Sequence, residues 1–267
     1  MLTVAVESRG RKEHAIYRFF SFLALFTSFA AALGAQDLRT VTSPNGQIKF
    51  RLFVAPRSGE EARLAYQVWY EGKRLIDTSF LGFEIRDQIV LGEKVGLIAS
   101  KTEVSEQYRS LTAEYMQNGS LGRLINIEVR VFDDGLAFRY LVPRSTPLDP
   151  MLVENESTEF RLAEDAEIDH KLLSHVPGDI ELPLPLTAHL PGLCWISIME
   201  VPEKNYPRMF LTHSEGTTLL SALPASPNDP KLAFAANPPL TSPWRIVSIG
   251  ASVESLSRSG IAGRIGH

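Results

Sequence analysis

The side chains that could do chemistry here are scattered, so their spacing decides what each could be. Glu200 closes the run Ile196-Ser197-Ile198-Met199, in which isoleucines alternate with serine, and precedes the polar turn Pro202-Glu203-Lys204-Asn205. A carboxylate there is either a solvated strand end or a group aimed at something. His170 and His175 stand five apart, with Asp169 beside them and His189 further on. That spacing fits neither HExxH nor a zinc-finger pair, so a polar loop explains them better than metal ligation. Asp133 and Asp134 are adjacent, and neighbours in a strand face opposite ways, so turn formation suits them better than a shared substrate. Glu156 and Glu159 could be a general acid and base, but spacing alone gives them no common geometry. Trp69, Trp195 and Trp244 could stack on sugar rings or fill a core.

Other chemistries have no motif. The sequence lacks a GxSxG elbow, a GxxxxGK[ST] phosphate loop and a CxxC pair. Its single cysteine, Cys194, cannot form an internal disulfide. A formal net charge of −4 gives no reason to expect nucleic acid as partner.

The N-terminus has its own composition. Arg9, Arg11, Lys12 and Arg18 precede the apolar run Phe19–Leu33, and small residues follow at Gly34-Ala35. This order reads as an export signal over residues 1–35, with the mature chain periplasmic or secreted and free of the membrane after cleavage. The apolar run is shorter than the roughly 20 residues that a spanning helix needs.

Beyond residue 35 the chain alternates with period two. Ile48-Lys49-Phe50-Arg51-Leu52 is one case, and Ile125-Asn126-Ile127-Glu128-Val129-Arg130-Val131 is the clearest. Such alternation is what a half-buried strand requires. Leu64 to Ile76, broken by Glu71-Gly72-Lys73, reads as a hairpin, and Asp134-Gly135 reads as the turn before a return strand from Leu136 to Val142. With 17 prolines and 18 glycines as punctuation and no sustained helical stripe, the expectation is an all-β sandwich or barrel. Residues from 255 to 267, rich in Ser, Gly and Arg, look like a loose or truncated tail.

Several stretches, taken in order, resemble the N-terminal domain of glycoside hydrolase family 97, bacterial exo-acting α-glucosidases and α-galactosidases. They are Ser43-Pro44-Asn45-Gly46, then Leu64-x-Tyr66-x-Val68-x-Tyr70-x-Gly72-Lys73, Leu75-Ile76 and Ser79-x-Leu81-Gly82. Asp133-Asp134-Gly135-x-Ala137-Phe138-Arg139-Tyr140 and Glu156-x-Thr158-Glu159-Phe160 follow. Pro185-Leu186-Thr187, Glu200, Asn205-Tyr206-Pro207 and Pro243-Trp244-Arg245 complete the series. Arg208 stands where the family commonly has glycine, and Val201 where it commonly has alanine.

The resemblance implies a large sandwich of two antiparallel sheets (a supersandwich) over residues 36–254. In the family a catalytic (β/α)8 barrel follows, holding the acid and the base or nucleophile. A barrel of that kind takes roughly 250 residues, and strand patterns already occupy this chain. The expectation is therefore a supporting and carbohydrate-binding module, without catalytic residues of its own, for α-linked oligosaccharides or glycosides. Its substrate-binding residues are not identified by the resemblance. Glu200 matches the family glutamate that reaches the barrel mouth and helps bind calcium. Because calcium takes about 6–8 oxygen ligands, that site would be shared with the barrel. The alternatives are a stand-alone secreted carbohydrate-binding sandwich and an interaction protein that binds no sugar.

Overall fold

The computed structural model describes residues 39–119, 122–168 and 181–265. The expected signal segment 1–35, and Asp169, His170 and His175, lie outside the described residues. The first strands are β1 (Arg39–Thr42), β2 (Ile48–Arg57), β3 (Glu60–Tyr70), β4 (Lys73–Phe80), β5 (Phe83–Ile85) and β6 (Val95–Val104). Then come β7 (Tyr108–Gln117), β8 (Leu124–Phe132), β9 (Gly135–Val142), β10 (Met151–Glu156), β11 (Glu159–Arg161) and β12 (Leu186–Leu190). The last are β13 (Cys194–Val201), β14 (Phe210–His213), β15 (Thr218–Ala222), β16 (Phe234–Ala236), β17 (Leu240–Thr241) and β18 (Trp244–Gly250).

The alternation seen in the sequence becomes the core. Ile125, Ile127, Val129 and Val131 of β8 are all fully buried, as are Ile48, Phe50 and Leu52 of β2. One layer is an eight-stranded sheet in the order β12-β13-β18-β9-β8-β7-β6, with β17 also on β9. Opposite it lie three smaller antiparallel sheets, β1-β2-β3-β4, β16-β10-β5 and β11-β15-β14. Rings lock the layers together. Phe138 of β9 meets Phe50, Tyr66 and Phe160, and Tyr140 meets Phe83. The fold is thus the expected all-β sandwich, and the described residues contain no barrel. Its second layer is broken into pieces rather than continuous. Register shifts lie inside two of these sheets, between Tyr66 and Val68 where β3 pairs β4 and between Val153 and Asn155 where β10 pairs β5, and an extra residue at such a point bends its strand.

Turn chemistry agrees with the sequence in one hairpin and shifts in another. Glu71 and Gly72 join β3 to β4 with φ of 49° and 77°, the paired positive values of a tight hairpin turn. Between β8 and β9 the turn is Asp133-Asp134, one residue earlier than expected, and Phe132 pairs with Gly135. Gly135 instead opens β9 with φ of 150°, and a Cβ there would lie 2.4 Å from the Val247 carbonyl oxygen. Glycine is needed for close approach as well as for conformation.

The expected loose tail is ordered through residue 265. Ser252 caps a short helix α1 (Val253–Ser257), and α2 (Ile261–Ile265) follows. Ile261 and Ile265 pack with Phe132, Ala137, Trp244 and Ile246 in a second apolar cluster. The isoleucines supply the apolar contact that the Ser- and Gly-rich composition concealed. No helix among the described residues is long and apolar enough to cross a membrane.

Candidate functional site

Strand parity decides where Glu200 points. In β13, Ile196 and Ile198 are fully buried, and Glu200 falls on the same face two residues later. Its side chain is only 3% exposed. Directly across the ladder stands Arg245 of β18, which shares a face with the buried Val247 and Ile249. The pairing places a carboxylate beside a guanidinium at the end of the sandwich interior.

Arg245 is 0% exposed and joins two carboxylates. Its Nε and Nη2 donate to Glu156 Oε1 and Oε2 at 2.8 and 2.5 Å, and its Nη1 donates to Glu200 Oε2 at 2.5 Å. Glu156, at the end of β10 and itself fully buried, accepts two further bonds. They come from the Thr158 hydroxyl at 2.8 Å and the Tyr206 hydroxyl at 2.6 Å. The Tyr140 and Thr158 hydroxyls lie 2.7 Å apart and continue the chain of bonds. Glu200 Oε2 also accepts from the Met209 backbone N–H at 3.3 Å, while Oε1 faces Arg208 Nε at 3.1 Å.

The electrostatics favour full charge. Burial disfavours the Glu156 carboxylate, but the Arg245 charge and the bonds from Arg245, Tyr206 and Thr158 outweigh it and hold its pKa below the ordinary value. Burial likewise opposes the Arg245 charge, and Glu156, its hydrogen bonds and Glu200 overcome that and raise its pKa. Burial, then the nearby Glu156 charge, pushes the Tyr206 phenol well up, so it stays a donor. The network is a saturated set of charge-assisted bonds suited to fixing geometry.

The other candidates go elsewhere. Glu159 does not join Glu156: it accepts from the Phe80 backbone N–H at 3.3 Å and faces Arg57 at 3.8 Å. Asp133 accepts from the Asn45 backbone, whereas Asp134 pairs with Arg264, so the adjacent carboxylates serve different partners. His189 faces Glu167 at 2.9 Å and stacks on Trp195 with ring centroids 4.4 Å apart. Trp244 is 6% exposed beneath Arg130 and Arg139, and Trp69 carries Lys49, Arg51 and Arg74 on its ring. All three indoles thus already contact protein side chains. An open cleft of about 720 Å³, lined among others by Arg74, Asp77, Arg161, Glu164 and Glu215, includes none of the network residues.

The sequence named Glu156, Thr158, Tyr206 and Arg245 as separate motif pieces but did not bring them to Glu200. Arg245 carried a usable signal, because a charge sharing the parity of Val247 and Ile249 must find a counter-charge inside. Tyr206 and Thr158 carried none, since nothing local says that a turn and a strand end will meet.

The structure is thus an antiparallel sandwich that carries a buried Glu-Arg-Glu network. The chain belongs to the family described as Glycosyl-hydrolase 97 N-terminal, matched over residues 41–265. It is 23% identical over 239 residues to a retaining alpha-galactosidase of Bacteroides thetaiotaomicron, covering 77% of this chain and 35% of that protein. Its fold is similar to that of a glycoside hydrolase family 97 enzyme from Pseudoalteromonas sp. strain K8, solved in complex with acarbose. The TM-score is 0.68 at 20% identity, covering 80% of this chain and 36% of that one. A crystal structure of beta-arabinopyranosidase is also similar, with TM-score 0.65 at 19% identity, covering 81% and 40%. The chain thus spans little more than a third of the relatives it matches.

Four of the motif pieces in the sequence meet in the network: Glu156-x-Thr158, Glu200, Tyr206 and Arg245. As for calcium, the described residues contain no group of three or more His, Cys, Asp or Glu that could hold a metal. They fit it only as a single contributed ligand. Glu200 Oε2 is committed to Arg245 and Met209, whereas Oε1 is held by the exposed side chain of Arg208.

Proposed function

We propose that this chain is the N-terminal module of an exported family 97 glycosidase acting on α-linked glucosides or galactosides, and that it supports a catalytic barrel rather than cleaving the bond itself. Family membership over residues 41–265 supports the enzyme class. One observation carries the supporting role: the fully buried Glu156–Arg245 pair that pins Glu200 at the sandwich end. A carboxylate so fixed costs little entropy to present, which is what a ligand or contact for a second domain requires. Glu200 Oε1 is then one ligand of a calcium whose other oxygens come from the barrel. The metal would supply electrostatic stabilisation there, and this chain's part is to hold that oxygen in place. Residues 1–35 act as the export signal in this reading, placing the protein in the periplasm or outside the cell.

The test combines this chain with a separately produced family 97 barrel and measures hydrolysis of α-glycosides and calcium affinity. The expected result is that the native chain raises both and the Glu200→Gln chain raises neither fully. Equal effects from the two chains would remove Glu200 from the metal site, and no effect from either would remove the supporting role.

A further inference from the structure

Three cations share one indole on the outer face of the β1-β2-β3-β4 sheet. Lys49 and Arg51 alternate with the buried Ile48, Phe50 and Leu52 of β2, so strand parity turns both outward. Trp69 of β3 stands directly across from Lys49 on one side and from Arg74 of β4 on the other. The Lys49 Nζ and the guanidinium groups of Arg51 and Arg74 lie 4.6, 4.8 and 4.3 Å from the centroid of its ring. The negative faces of the ring attract cations, which is how one side chain gathers three. Charges held around one ring lie within a screening length of one another, about 8–10 Å at ordinary salt, so solvent ions do not remove their repulsion.

The chain itself answers one of the three charges. Asp77 pairs with Arg74 Nη1 at 2.8 Å. Among the described residues neither Lys49 nor Arg51 has an ion pair, and Arg51 Nε is buried without a hydrogen-bond partner. Besides Trp69, the residues paired with them across the ladders are Thr42, Thr40 and Gln67, all uncharged. Two positive charges thus stand without a counter-charge on a half-buried, accessible face. A phosphate monoester carries a charge of about −1.5 to −2 at pH 7 and three acceptor oxygens, and a guanidinium fork beside an ammonium matches it. We propose that this face binds the phosphate monoester of a polyol. Lys49 and Arg51 take the phosphate, the outward Thr40 and Thr42 hydroxyls meet the polyol, and Trp69 positions the cations. The cations occupy the ring, so the indole does not stack on the ligand. The site uses neither Glu200 nor a second domain and stands apart from the reading of both.

The test titrates the whole chain with glucose 6-phosphate, inorganic phosphate and glucose, read by calorimetry. The ester binds with a dissociation constant of about 1 mM at low salt, and added salt weakens it because the charges are accessible. Inorganic phosphate, which lacks the hydroxyl contacts, binds about 3-fold or more weakly, and glucose does not saturate. Lys49→Gln and Arg51→Gln each weaken the ester about 5-fold or more. Trp69→Leu weakens it as well by letting the cations separate, whereas Trp69→Phe keeps a ring and most of the affinity. Asp77→Asn tightens binding, because it frees Arg74. Lys101→Gln, an exposed lysine of β6 in the other layer, changes nothing. The proposal is overturned if the ester shows no saturation up to about 20 mM, if inorganic phosphate binds as tightly, or if Lys101→Gln weakens binding as much as Arg51→Gln. Capture by vesicles of anionic phospholipid with no response to the ester would overturn it too.

Discussion

Replacing Arg245 with methionine should be the most damaging single change at the network. The substitution keeps an unbranched apolar side chain in the buried space but removes both ion pairs and all three donated bonds. Glu156 would keep Thr158 and Tyr206 as donors, and Glu200 would keep Arg208 and the Met209 amide. Two carboxylates would then stay buried with a single, exposed, cation. Stranding a buried charge in this way costs about 3–5 kcal/mol. For a chain of this size that is a fall in melting temperature of about 6–20 °C, and a large share of the about 5–15 kcal/mol that holds a typical domain together. Urea unfolding followed by tryptophan fluorescence would measure it. The companion variant Arg245→Met with Glu156→Gln removes one of the stranded charges and should recover at least about 1 kcal/mol. Strict additivity of the two substitutions, or a loss below about 1 kcal/mol for Arg245→Met alone, would refute the argument from uncompensated charge.

Three further outcomes follow from the same structure. The pKa of Glu156 is depressed in the folded state, so its contribution is fully present above the unfolded value of about 4.3 and is lost as pH falls through the lower folded value. Urea midpoints measured from neutral to acid pH should therefore fall more steeply for the native chain than for Glu156→Gln. The Cys194 thiol is 4% exposed and its pKa is pushed up to about 12, by burial first and then by Glu71, so alkylation at neutral pH should proceed only as fast as the chain unfolds. Gly135→Ala should cost more than about 1 kcal/mol in the same unfolding assay, because the added Cβ meets the Val247 carbonyl at 2.4 Å and the φ of 150° resists a side chain.

What the sequence alone determined was the alternation and much of the turn chemistry. The branched residues of β8, spaced by two, could bury one face only as a strand, and the structure buries all four. Glu71-Gly72 could reverse the chain because glycine accepts positive φ, and the hairpin forms there. Glu200 could be singled out because a carboxylate that continues the parity of Ile196 and Ile198 is unexpected on an inward face. Tertiary structure decided the rest. The division of the second layer into three sheets depends on pairings between strands far apart in the chain, such as β10 with β16 and β11 with β15, which have no local signature. The order of the tail depends on Ile261 and Ile265 finding Phe132 and Trp244 across the sheet. The network brings Glu156 and Arg245 together across 89 residues and Tyr206 to Glu156 across 50. A buried charge is tolerated only where its partners converge, and convergence over such separations is a property of the packed sandwich that no stretch of the chain records by itself.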